Sequence, residues 1–200
     1  MPATLIGLVL AAGRSSRMGQ PKAVLPDGDG EPFVARVVRT LGEAGLARVV
    51  VVAAPDTRNA IETALRGQRD PPVVTVLVNP DPDRGQLSSL LTGLSAAGHV
   101  DGLLVTLVDV PFVSAATVAA VIAAWKRTRA PIVRPAIGER HGHPVIFDRS
   151  LFDALRAAPL EAGAKHVVRA HETGIVNVPV TDEGAFLDLD TPDDYRAAVS

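Results

Sequence analysis

Apolar residues fall along this chain in short runs that alternate between two spacings, with glycine- and proline-rich stretches between them. The run Leu5–Leu10 is continuous and rich in branched residues, which suits a strand buried on both faces. From Pro32 to Ala44 the spacing turns helical: Phe33, Val34, Val37, Val38 and Leu41 share one face, and Pro32 suits a first turn. The same logic predicts strands at Val49–Ala53, Val73–Val78 and Leu103–Val108, and helices at Thr57–Leu65, Gln86–Ala97 and Ala115–Arg127. After Pro131 the rhythm changes. Short strands are expected at Ile132–Pro135 and Pro144–Phe147 around the turn-rich 138–142, then helices at Ser150–Ala157 and Gly163–Ala170. Strands at Gly174–Val178 and Phe186–Asp188 and a last helix from Pro192 complete the pattern. The alternation predicts an α/β fold, Rossmann-like in three α/β/α layers, with a mainly parallel mixed sheet in a single domain over 1–200.

Composition narrows the class. Apolar residues make up 47% and aromatics only 4%, so the interior must be mostly Val, Leu, Ile and Ala. A net charge of −2 argues against a nucleic-acid partner. With no cysteine there are no disulfides, thiolate metal sites or cysteine nucleophiles. No apolar run reaches the roughly 18 residues that span a bilayer, and Leu5–Leu10 leads into glycines rather than a cleavage site. The expectation is a soluble, cytoplasmic protein with no membrane contact.

The most informative chemistry follows the first strand. Leu10-Ala11-Ala12-Gly13-Arg14 and Arg17-Met18-Gly19-Gln20-Pro21-Lys22 combine small residues, two glycines, two arginines and a lysine at a strand's end. Glycine lets backbone N–H groups approach an anion, and ligands of open α/β sheets bind beyond the strand ends. Neither the G-x-G-x-x-G nor the Walker spacing is present, so the reading is a polyphosphate cradle of another kind. The alternative is an ordinary surface loop with solvated arginines.

Four further segments bear on this. Asp109, in Leu107-Val108-Asp109-Val110-Pro111, points a carboxylate into the same crevice; Ser114 is better placed to cap the next helix, which leaves Asp109 for a metal. In Phe186-Leu187-Asp188-Leu189-Asp190-Thr191-Pro192, a strand would put both aspartates on one face. Helix capping explains Thr191 to Asp194 but not Asp190, the second candidate metal ligand; Asp188 is open to either role. Ser88 and Ser89, at a helix start after Arg84-Gly85-Gln86, either grip a nucleotide or are solvated caps. Arg140-His141-Gly142-His143-Pro144 suits a substrate-facing loop better than a metal site.

Through these segments the chain resembles the nucleotidyltransferases of the molybdenum cofactor, within the fold of the sugar-phosphate nucleotidylyltransferases. The resemblance runs through all 200 residues in order and rests on Leu-Ala-Ala-Gly, Arg17-Met18-Gly19, Lys22, Val-Asp-Val-Pro, Gly142-His143-Pro144 and Asp-Leu-Asp-Thr-Pro-Asp-Asp-Tyr. Gly-His-Pro points to the cytidylyltransferase-like branch. So does Ala12, where guanylyltransferases carry a glycine, although Leu10 is the residue those favour. The resemblance implies Mg²⁺-dependent transfer of CMP from CTP to the molybdopterin cofactor, whose product a molybdoenzyme would receive. Leu10, Ala11, Ala12, Gly13, Arg14, Arg17, Lys22 and Ser88 would hold the nucleotide. Asp109 and Asp190 would hold the metal, Arg17, Lys22 and Asp109 would act in catalysis, and Gly142 and His143 would face the acceptor. A transferase acting on GTP or on another phosphorylated acceptor, and a non-catalytic carrier of the nucleotide-bearing cofactor, are the competing readings.

Overall fold

The computed structural model describes residues 3–13, 19–68 and 70–199. Its elements are β1 (Leu5–Ala11), α1 (Phe33–Glu43), β2 (Arg48–Ala53), α2 (Arg58–Ala64), β3 (Val73–Val78), α3 (Gln86–Ala96), β4 (Gly102–Leu107) and α4 (Ala115–Thr128). They continue with β5 (Ile132–Ile137), β6 (Arg140–His141), β7 (Val145–Asp148), α5 (Phe152–Ala157), α6 (Ala164–Ala170), β8 (Ile175–Pro179) and α7 (Pro192–Val199). The eight strands form one sheet in the order β3-β2-β1-β4-β7-β5-β6, with β8 beside β5. β3, β2, β1 and β4 are parallel neighbours, as are β5 and β8, while β7 runs antiparallel to both β4 and β5. The fold is the mixed, mainly parallel α/β architecture expected.

Strand alternation divides the core in two. Val9 and Ala11 of β1, with Val49, Val51 and Ala53 of β2, face α1 and α4. Ile6, Leu8 and Leu10, with Val50 and Val52, face α3, α5 and α6. Both clusters consist mainly of Val, Leu, Ile and Ala, as the scarcity of aromatics requires. Among the described residues no helix is long and apolar enough to cross a membrane.

One predicted strand does not form. Phe186–Asp188 is the end of a 3-10 turn at Glu183–Phe186 followed by irregular chain, and Leu187 is 41% exposed while Leu189 is fully buried. The segment is held by other means. Leu189 fills the core and donates its N–H to the Asp109 carbonyl at 2.9 Å. Asp182 ties the preceding turn to α4, accepting from the Ser114 N–H at 2.8 Å and the Gly184 N–H at 3.1 Å. The caps read from sequence are present. Ser114 accepts from the Thr117 N–H, and Thr191 and Asp194 exchange hydrogen bonds at the start of α7. Tyr195 then docks α7 by donating to the Pro26 carbonyl at 2.8 Å.

Candidate functional site

Parallel register sets up the site. Leu10 pairs with Leu107, so the chain leaving β1 at Ala11–Gly13 runs beside the chain leaving β4 at Val108–Asp109. A pocket of about 360 Å³ opens there, lined by Ala11, Ala12, Gly13, Lys22, Asp109 and Asp190 among others. Ala12 is buried, and a Cβ built on Gly13 meets nothing within 4 Å among the described residues. Arg14 and Arg17 lie outside the described residues.

Lys22 joins the two candidate metal ligands. Its Nζ lies 2.7 Å from Asp190 Oδ1 and 3.4 Å from Asp109 Oδ2, with the lysine side chain 11% exposed. Asp109 Oδ1 is buried and has no hydrogen-bond partner among the described residues. Asp188 stands close enough to be affected: burial first, then the neighbouring charges of Asp109 and Asp190, push its carboxyl above the usual range. The site thus concentrates carboxylates around one lysine ammonium.

That donor set suits a hard divalent cation. Two carboxylates, one with an orphaned oxygen, match an ion that takes a few protein oxygens and completes its shell with phosphate and water. A protein-only cage is not the pattern, since no group of three or more His, Asp or Glu side chains among the described residues is arranged to hold a metal.

The helix start behaves differently from expectation. Gly85, at φ +89°, caps α3, and Ser88 Oγ lies 2.7 Å from the Gly85 carbonyl and 2.7 Å from Asn79 Nδ2. Ser88 is absorbed in that network, and it is Ser89 that lines the pocket. The pattern of two serines in sequence gave no means of telling them apart.

Beyond Leu10, Gly85, Gln86 and Leu107 the small pocket gives onto a larger one of about 1180 Å³, between the β4–β7–β5 part of the sheet and α3 and α6. Gly142 and His143 line it. Burial lowers the pKa of His143 against the weaker opposing pull of the Val105 backbone and of Asp109. The large pocket is also lined by Arg134, Lys165 and Arg169, none of which sequence reasoning singled out.

Gly142 has a second task. A Cβ there would come within 2.3 Å of the Ala185 carbonyl, and His143 donates its N–H to that carbonyl at 2.8 Å. The contact locks the β6–β7 connection onto the turn that precedes Asp188 and Asp190. Gly142→Ala should therefore cost about 1–3 kcal/mol in stability, because a backbone oxygen cannot rotate away as a side chain can. A melting temperature equal to that of the unsubstituted protein would show that the contact can relax freely.

The MobA-like NTP transferase domain matches residues 7–175. This chain belongs to that family. Among similar proteins, a nicotine blue oxidoreductase of Paenarthrobacter nicotinovorans is 31% identical over 193 residues, covering 92% of this chain and 91% of that protein. A molybdenum cofactor guanylyltransferase of Xanthomonas euvesicatoria is 29% identical over 199 residues, covering 96% and 93%. The solved structure of Rv0371c from Mycobacterium tuberculosis H37Rv matches with a TM-score of 0.77 at 29% identity, covering 100% of this chain and 98% of that one. That protein has also been solved in complex with manganese. MobA-like membership makes the chain a nucleotidyltransferase.

Proposed function

We propose that this protein transfers CMP from CTP to the phosphate of the molybdopterin cofactor and releases pyrophosphate, with a recipient molybdoenzyme downstream. The observation that carries the reading is the Lys22–Asp109–Asp190 cluster at the mouth of β1 and β4, opening onto a second pocket large enough for an acceptor. An acceptor phosphate is already anionic near pH 7, its second pKa being about 6, so it attacks without a strong general base. Its oxygen forms a bond to the α-phosphorus as the α–β bond breaks and pyrophosphate carries away the electron pair. The barrier is one of bringing anions together in line and stabilising developing charge.

The residues divide this work. Lys22 and the backbone of Ala11–Gly13 hold the triphosphate, joined by Arg14 and Arg17, and Lys22 stabilises charge as the leaving group departs. Asp109 and Asp190 would hold a divalent cation, Mg²⁺ or Mn²⁺, which when bound supplies charge neutralisation on the phosphates. Gly142 and His143 border the acceptor. A redox role, which the name of the Paenarthrobacter relative suggests, and a passive carrier role both leave the paired carboxylates without a task.

Nucleotide choice rests on Ala12. It is 4% exposed and lines the small pocket, so its methyl group takes space beside a base. GTP is the second reading, favoured by the name of the Xanthomonas relative and by Leu10. One methyl group discriminates by roughly 1–3 kcal/mol, or about 10–200-fold. With equal CTP and GTP in competition, CTP should be preferred by a factor in that range, and Ala12→Gly should narrow the gap without reversing it. Preference for GTP in the unsubstituted protein would overturn the choice of base and leave the transferase intact.

A further inference from the structure

The strand β5 reads Ile132-Val133-Arg134-Pro135-Ala136-Ile137, and alternation gives Arg134 the same face as Ile132. That is the face of the second apolar cluster, beneath α5 and α6, where Ile132 is fully buried. An arginine at this position replaces a core residue. Inward charges are sometimes kept on edge strands to block pairing, but β5 has β7 and then β6 along one side and β8 along the other. Nor is it there for an ion pair. Arg134 donates from Nε to Asn177 Oδ1 at 2.9 Å, its register partner on β8, and its Nη atoms have no hydrogen-bond or salt-bridge partner among the described residues. Glu172 acts on it only at longer range, and burial is the main influence on its charged form. Asn177 thus orients a half-buried guanidinium whose fork opens into the large pocket.

The pocket that it lines carries apolar residues, Leu90, Val105, Phe147, Leu160 and Ile175 among them, beside the charged Glu161, Lys165, Arg169 and Glu172. β5 is the second neighbour of β4 in the sheet, so at the usual spacing of about 4.8 Å it lies about 10 Å from the strand whose chain leads on to Asp109. A planar fork with free donors, in a pocket with large apolar side chains in its lining, reads two oxygen or nitrogen acceptors at the edge of a flat ring.

We propose that Arg134 is the specificity-determining residue of the acceptor pocket, holding the acceptor-rich edge of a flat heterocyclic ring at the end remote from the reacting phosphate. The proposal rests on the transferase reading only for the direction in which the acceptor lies; the ring site itself stands on the pocket. A pterin offers such an edge, a ring oxo group beside a ring nitrogen.

The test is equilibrium binding of unphosphorylated pterin, followed by its fluorescence, to the full chain and to Arg134→Leu and Arg134→Lys. Leucine restores the apolar alternation of β5, so Arg134→Leu should fold with an equal or higher melting temperature. It should bind pterin at least about tenfold more weakly, and Arg134→Lys, with a point charge in place of a fork, should recover only part of the loss. In a transfer assay the same variant should raise KM for the acceptor and leave nucleotide affinity, measured by calorimetry, unchanged. Saturable pterin binding that is equal in Arg134→Leu and the unsubstituted protein overturns the proposal, as does the absence of saturable binding in the latter. Arg134-dependent pterin binding without nucleotidyl transfer would leave the ring site standing and remove the transferase reading; transfer with an unchanged acceptor KM in Arg134→Leu would do the reverse.

Discussion

Asp109→Asn should abolish turnover in a protein that still folds. Asp109 contributes an orphaned buried oxygen and one oxygen 3.4 Å from Lys22, so its charge is directed at the site rather than at the core. Asparagine keeps the shape and loses the charge. Removing one of two carboxylates from a metal-assisted phosphate transfer costs several kcal/mol, on the order of a thousandfold or more in kcat. The melting temperature should move by no more than about 2 °C, because a change of that size in a chain this long corresponds to under 1 kcal/mol. Asp190→Asn should follow the same direction less severely, since its side chain is 53% exposed and an amide still offers one oxygen. Near-normal metal-dependent activity in folded Asp109→Asn would remove the residue from the mechanism. Greater damage from Asp188→Asn than from Asp190→Asn would reassign the second ligand.

The second large effect is expected at Lys22. Its ammonium lies between the carboxylates of Asp109 and Asp190, in the place a divalent cation would share, and the triphosphate competes for the same charge. Lys22→Ala should raise KM for nucleotide and lower kcat together, for a combined loss of about a hundredfold in kcat/KM, or ~2.7 kcal/mol, because the ammonium contacts charge in both ground and transition states. Mn²⁺ binding without nucleotide should move the other way and tighten, since the carboxylates lose a competing internal cation. Unchanged kinetics and unchanged Mn²⁺ affinity together would make Lys22 a bystander.

The order of elements was legible in the sequence because each depends on local periodicity. Buried parallel strands such as Leu5–Leu10 show continuous branched runs, and α1 and α4 show clean helical stripes. Asp109 was legible for a related reason: a carboxylate at the end of a buried strand, with Ser114 free to cap the helix, has few other uses. What escaped reading was long-range. The 186–190 segment alternates like a strand, yet it joins no ladder of the sheet and is held by single long-range bonds, with Leu189 on the Asp109 carbonyl. Ser88 and Ser89 are adjacent and chemically alike, and both accept from Asn79 Nδ2; what separates them is that Ser88 also donates to the Gly85 carbonyl while Ser89 lines the pocket. Arg134 did leave a signal, one charged residue in an apolar strand, but its meaning required knowing that β5 is interior and that a pocket lies beneath it.

The most direct test of the central claim is pyrophosphate release by the purified protein with each of the four nucleoside triphosphates, with and without purified molybdopterin cofactor. The account predicts release that requires both a divalent cation and the cofactor, is fastest with CTP, and is matched by CMP attached to the cofactor. No cofactor-dependent release with any of the four nucleotides, from a folded protein supplied with Mg²⁺ or Mn²⁺, would contradict it.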